Sequence, residues 1–254
     1  MNVIDGHVHL DLKKYPDVGK AGAGLLSAMN ASGVEKAIVM PDGMDCSSDL
    51  VKKACRLYPD RLAGFYMPDF TGKNLGRDEL EKALKKGNFK GIKIHPRNQK
   101  ISLNDPRVTD ILKKCAVLKF PVFIDCFPFG NLDEMSYPLA FEGLAKENPA
   151  LRLIMGHMGG YRALDAFIVA KSNENVFLDV SFTFMYFSGF SIRKDIEYMI
   201  RSLGPRRFVY GSDYPHVAMK DSLGNFKKLV KSAGLNNKDS KAIFNDNINS
   251  IINI

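Results

Sequence analysis

Apolar and β-branched runs recur along the chain at about 2–8, 36–40, 62–67, 89–95, 121–126, 151–157, 175–181 and 207–213, each of a length that suits one strand. Between them, apolar positions return at helical spacing over 48–58, 77–86, 106–119, 161–171 and 192–203, and two more such stretches follow Asp221 and Lys238. Strand and helix signals take turns, which predicts parallel strands joined by crossover helices of one hand. Eight such units close most simply into an α/β fold, the (β/α)8 TIM barrel. An open doubly wound sheet is the rival, but it supplies no reason for strands 1, 4, 5, 6, 7 and 8 all to end in polar residues. A chain of 254 residues, 45% of them hydrophobic, can bury a barrel core, and 1–254 reads as a single domain.

The polar endings are where chemistry enters. All five histidines, His7, His9, His95, His157 and His216, lie at the end of a predicted strand or within three residues of one. One rim of an α/β barrel gathers strand ends, so these side chains can meet. In Asp5-Gly6-His7-Val8-His9, strand alternation puts Asp5, His7 and His9 on one side and Val8 on the other. Two imidazoles so placed can grip one ion, with ring nitrogens that suit zinc and, with carboxylate help, iron, nickel or manganese. A pair of half-buried structural histidines is the competing reading. Other strands end Lys93-Ile94-His95-Pro96, Phe123-Ile124-Asp125, Met155-Gly156-His157, Leu178-Asp179 and Gly211-Ser212-Asp213. Charged groups at apolar strand ends are costly unless paired or bound to a metal, and one shared cation accounts for several of them together.

Charge changes this picture little. The formal net charge is +8 and the pI near 9.2, but the lysines are dispersed over helices, so no nucleic-acid partner is required. A positive rim favours a small anionic substrate. Cys46, Cys55, Cys115 and Cys126 show no Cys-x-x-Cys spacing, and no basic-then-apolar leader opens the chain, which together point to reduced thiols in the cytoplasm. No apolar stretch approaches the length of a membrane span.

Asp5-Gly6-His7-Val8-His9, Gly91-Ile92-Lys93-Ile94-His95-Pro96, Gly156-His157-Met158-Gly159-Gly160 and Gly211-Ser212-Asp213-Tyr214-Pro215, in that order and spacing, resemble the amidohydrolase superfamily. More narrowly they resemble its amidohydrolase-related branch, with aminocarboxymuconate semialdehyde decarboxylase, other nonoxidative decarboxylases and dicarboxylate lactone hydrolases. The resemblance spans almost the whole chain and implies a barrel with one divalent metal ion, zinc in most relatives. It puts His7, His9 and Asp213 on the metal and makes His157 the group that polarises substrate or moves a proton. Relatives place a metal-binding histidine after strand 5 where this chain has Asp125. Asp125 either ligates, with more tolerance for manganese, or forms an ion pair with Lys93. A TatD-like nuclease also opens with His-x-His, but it expects a strand 4 glutamate that Gly91 to Pro96 lacks.

The resemblance therefore implies a hydrolase of a small carboxylated amide, ester or lactone, working through a metal-activated water with Asp213 as proton acceptor and His157 as acid or electrophile. The same ion could serve a nonoxidative decarboxylase of an aromatic or unsaturated acid. A barrel that binds anions without turnover is the third reading. His95, Arg97 and Arg162 are the candidate substrate contacts, although His95 can equally serve to orient the loop through Pro96. His216 reads as an exposed loop histidine. Phe127 and Phe129 after strand 5, and Phe182, Phe184, Tyr186, Phe187 and Phe190 after strand 7, need cover from a ring-bearing substrate or from a second copy in a homodimer.

Overall fold

The apolar runs supply the strands, all but β2 shorter than the run itself: β1 (Val3–Val8), β2 (Val34–Val39), β3 (Leu62–Gly64), β4 (Ile92–Ile94), β5 (Val122–Ile124), β6 (Leu153–Met155), β7 (Val176–Asp179) and β8 (Phe208–Val209). The computed structural model describes residues 1–71, 76–128 and 137–254. Past β4, β5, β6, β7 and β8 the tail of the run stays buried but leaves the ladder, carrying His95, Asp125, His157, Ser181 and Asp213 to the rim. All paired strands are parallel, in the orders β1-β2-β3 and β4-β5-β6-β7-β8. Backbone hydrogen bonds join the two sheets at both seams. At one, Tyr66 N donates to Gly91 O at 2.9 Å and Lys93 N to Tyr66 O at 2.8 Å. At the other, Gly6 N donates to Tyr210 O at 2.8 Å, Asp213 N to His7 O at 2.9 Å and His9 N to Tyr214 O at 2.7 Å. The ring so closed is the (β/α)8 barrel.

The longer helices among the described residues are α1 (Val18–Ser32), α2 (Ser48–Leu57), α3 (Arg77–Gly87), α4 (Pro106–Leu118), α5 (Ala140–Glu147), α6 (Ala163–Ser172), α7 (Ile192–Leu203) and α8 (Met219–Ser232). The sequence pattern missed α1 and α5. In α1, Gly19, Gly22 and Gly24 weaken the helical signal, since glycine interrupts both propensity and apolar spacing. Two of them are there for packing: a Cβ on Gly22 would lie 2.6 Å from the Tyr58 ring, and one on Gly24 2.8 Å from Tyr15. Asp17, accepting from Lys20 N, and the left-handed Gly33 cap this helix at its two ends.

Side-chain alternation builds the interior and then the site. Ile4, Ile38, Met40, Phe65, Phe123, Ile154 and Val209 form the inner core, closed from below by Ile248, Ile251 and Ile252 of the last helical turn pair, Asn247–Ile252. Two residues on from an inward position comes a polar group at the mouth: Asp125 after Phe123, Asp179 after Phe177, and Gly211 then Asp213 after Val209. β1 breaks strict alternation through register shifts against β2 between Val3 and Ile4 and between Asp5 and Val8. Ile4 and His7 both reach the interior for that reason, His7 with its ring 4.6 Å from Phe123. Among the described residues no helix is long and apolar enough to cross a membrane.

Candidate metal centre

His7 and His9 leave the end of β1 with their Nδ1 atoms already engaged. His9 Nδ1 lies 2.8 Å from Met40 O, and His7 Nδ1 lies 3.1 Å from both Asp179 Oδ2 and Ser181 Oγ. A carbonyl or carboxylate oxygen only accepts, so Nδ1 carries the hydrogen and Nε2 presents its lone pair. Both lone pairs face Asp213 Oδ1, 3.7 Å from His7 Nε2 and 3.5 Å from His9 Nε2. Ligand atoms around a tetrahedral ion with bonds of about 2.0–2.2 Å stand about 3.3–3.6 Å apart, so these three buried groups fit a divalent metal. Burial, assisted by the charges of Lys93 and His157, keeps His7 well below the ordinary histidine range, as a neutral ligand must be. The outer-shell acceptors on both imidazoles are what a metal-binding histidine requires.

A second grouping of His7, His157 and Asp179 shares His7 with the first. Ser181 Oγ is hydrogen-bonded within it to His7 Nδ1, His157 Nδ1 and Asp179 Oδ2, so it acts as the support of the first grouping. The sequence marks Asp179 as a polar strand end but assigns neither it nor Ser181 this supporting role. Their signal was the pair Leu178-Asp179-Val180-Ser181, an apolar strand that ends in two polar groups on one face.

Asp125 stands outside both groupings. Its Oδ2 lies 3.3 Å from Lys93 Nζ, 3.1 Å from His157 Nε2 and 3.6 Å from His95 Nε2, and its Oδ1 is buried with no hydrogen-bond partner. Burial alone would raise this carboxyl, but His95, Lys93 and His157 outweigh it and hold Asp125 well below the ordinary carboxylate range. His157 shows the opposite balance. Burial opposes its charge, yet Asp125, Asp213 and Asp179 lift it to about 9. His95 is pushed down to about 4 by burial against the pull of Asp125, and its Nδ1 accepts from Asn98 N at 3.4 Å to cap the short helix Pro96–Gln99. Asp213 stays below its ordinary range because His9 and His157 outweigh the burial that would raise it.

Two of these residues sit on strained backbone. His157 at φ 55° and Asp213 at φ 61° occupy the left-handed region, which costs a residue with a side chain about 1–3 kcal/mol and clusters at functional sites. Hydrogen bonds from their own N–H groups hold both: His157 N donates to the Asp179 Oδ2 side-chain oxygen at 3.1 Å and Asp213 N to the His7 backbone O at 2.9 Å.

The centre forms the floor of a cavity of about 540 Å3. His9, His95, Asp125, His157 and Asp213 line it, with Arg97 and Lys13 on the rim beside Asp11, Asp42 and Asp45. One wall is aromatic: Phe127 meets Phe182 at 5.1 Å between ring centres, and Phe182 stacks on Tyr186 at 5.0 Å. His216 is exposed, as its loop position suggested, and also lines this cavity with its ring 6.0 Å from His9. Arg162 is not among the lining residues. Its Nη1 donates to Tyr137 Oη at 3.1 Å and Asp165 Oδ2 at 3.2 Å, and its guanidinium stacks on Tyr137. Phe129 lies outside the described residues.

The amidohydrolase family model matches residues 4–251, and the chain belongs to that family. No curated protein matches its sequence. Among solved structures, an uncharacterized TIM-barrel protein from Bordetella bronchiseptica is similar with a TM-score of 0.82 at 16% identity, covering 100% of this chain and 99% of that one. A probable 2-pyrone-4,6-dicarboxylic acid hydrolase from Acinetobacter baumannii with citric acid bound gives 0.75 at 18%, covering 100% of both chains. A dihydroxybenzoic acid decarboxylase from Polaromonas, with bound manganese and the inhibitor 2-nitroresorcinol, gives 0.71 at 15%, covering 100% of this chain and 97% of that one. At such identities the likeness establishes the barrel.

Proposed function

We propose that the chain is a metal-dependent hydrolase of a small carboxylated amide, ester or lactone, with its ion held by His7, His9 and Asp213. The observation that carries this reading is the convergence of two histidine lone pairs on Asp213 Oδ1 at 3.7 and 3.5 Å, at the floor of an open cavity. Zinc suits two nitrogens and one carboxylate, and manganese is the alternative. A divalent ion supplies Lewis acidity to a substrate carbonyl. The rest falls to the protein's own groups. Asp213 is ionised at neutral pH and takes the proton of the attacking water. His157 is cationic and faces the same cavity, so it stabilises negative charge growing on the carbonyl oxygen. Its orientation comes from Asp125 at Nε2 and Ser181 at Nδ1. Arg97 on the rim supplies a guanidinium for a substrate carboxylate. A reducing compartment, the cytoplasm, agrees with four cysteines of which none is in a disulfide.

The aromatic wall favours a second reading, nonoxidative decarboxylation of an aromatic or unsaturated acid. Phe127, Phe182 and Tyr186 offer ring faces next to His157, and the barrel is shared with a dihydroxybenzoic acid decarboxylase. Product analysis on a panel of lactones and aromatic acids separates the two: hydrolysis incorporates labelled solvent oxygen, whereas decarboxylation releases carbon dioxide and consumes no water. Asp213→Asn is expected to lower kcat by about 10²–10⁴-fold with circular dichroism unchanged. Wild-type turnover in that variant would remove Asp213 from the chemistry. His7→Ala combined with His9→Ala is expected to abolish zinc uptake, measured by elemental analysis after dialysis. Tight anion binding without turnover at any metal loading would support a noncatalytic barrel instead.

A further inference from the structure

Lys93 is fully buried under the cavity floor, where a charged side chain needs a reason to be. Its Nζ lies 3.3 Å from Asp125 Oδ2, 3.3 Å from His7 Nε2 and 4.2 Å from the centre of the Phe123 ring. The contact with His7 is the informative one. The hydrogen of that imidazole is on Nδ1, facing Asp179, so Nε2 has a single lone pair. That lone pair can accept a hydrogen from Lys93 or bind a metal ion, and cannot do both.

We propose that Lys93 sets how firmly the centre holds its metal, by contesting the Nε2 lone pair of His7 and placing a positive charge beside the ion. This rests on the metal-site reading given above and adds a residue to it. Two like charges a few ångströms apart repel strongly in an interior of low dielectric, so an ion can load only if Lys93 gives way. Asp125 is where it goes. The carboxylate already shares Lys93 through Oδ2, and its Oδ1 is buried with no hydrogen-bond partner, so it has capacity for the hydrogens that Lys93 withdraws from His7. Lys93 then passes between two acceptors, and Asp125 offsets its charge in both positions. Asp125 is thereby a positioning residue for Lys93, and the protein holds its metal less tightly than the same three ligands would without a neighbouring ammonium.

Equilibrium titration with zinc chloride against a competing chelator tests this on the wild type, Lys93→Met, Asp125→Asn, the double variant, and His7→Ala. Lys93→Met is expected to bind zinc about tenfold or more tightly than wild type, and Asp125→Asn about tenfold less tightly. The double variant removes both charges and so avoids leaving a carboxylate alone in the interior. It is expected to bind more tightly than Asp125→Asn by a similar factor, which separates relief from Lys93 from recruitment of Asp125 as a ligand. Equal zinc affinity in wild type and Lys93→Met, and in Asp125→Asn and the double variant, would overturn the role of Lys93 while leaving the centre standing, provided His7→Ala still abolishes binding. Zinc affinity indifferent to His7→Ala would overturn the centre and the inference together. If Lys93→Met fails to fold, the double variant against Asp125→Asn decides.

Discussion

A methyl group on Gly211 would lie 2.6 Å from Asp179 Oδ1 and 2.7 Å from His7 Cβ, closer than real contacts allow. Glycine is required here because the backbone of the strand 8 loop passes directly against His7 of the proposed metal centre and the Asp179 carboxylate that orients it. Gly211→Ala is therefore expected to displace Asp179 from His7 Nδ1. Loss of such an outer-shell partner costs about 10–100-fold in metal affinity, which zinc titration measures; unchanged affinity would show that Asp179 does not set the tautomer of His7. At this scale the candidate ligands His7 and His9 were legible in the sequence, because they sit two residues apart at the end of one strand. Their supports were not. Asp179 contacts His7 across 172 residues of chain, and no local pattern announces that pairing.

At the scale of the element, α4 shows how a helix start is encoded, with Asp105 as its N-cap. The Asp105 carboxylate accepts from Arg107 N at 2.9 Å and from the Arg107 guanidinium at 2.9 and 2.7 Å, with Pro106 at the first helical position. These bonds, the Arg107 side chain first, lower Asp105 from 3.8 to about 2. A carboxyl depressed on folding adds stability that is fully present above its unfolded value and is lost as pH falls through the folded one. Asp105→Ala is expected to cost about 0.5–2 kcal/mol at neutral pH. In urea titrations the gap to wild type is expected to narrow as the pH drops from about 4 toward 2, and a pH-independent gap would assign the loss to something other than the carboxylate. The start of α4 could be read from sequence since cap and proline are both local. α1 could not, because its Gly22 and Gly24 are explained only by Tyr58 and Tyr15, whose rings pack on them from outside the helix.

For the whole molecule, the floor of the barrel is as consequential as its mouth. Ile248 is fully buried and joins Ile4 and Val209 in the inner core, so the last helical turns plug the ring beneath the first and eighth strands. Ile248→Ala is expected to lower the unfolding free energy by about 2–5 kcal/mol, read from denaturant unfolding. Zinc affinity is expected to stay close to wild type in that variant, since the centre is held by its own hydrogen bonds at the other end of the barrel. A large loss of affinity with little loss of stability would reverse that assignment.

What the sequence by itself determined was periodicity and inventory: eight apolar runs, the helices between most of them, and the polar residues that end the runs. These follow from local physics, in which alternation and helical spacing select which side chains are buried. Tertiary structure decided who meets whom. The seams at Tyr66 and Tyr214 close the ring, the register shifts in β1 turn Ile4 and His7 to the same interior, and Lys93 is brought between His7 and Asp125. Such pairings join residues far apart along the chain, and only the closed barrel brings their atoms within bonding distance.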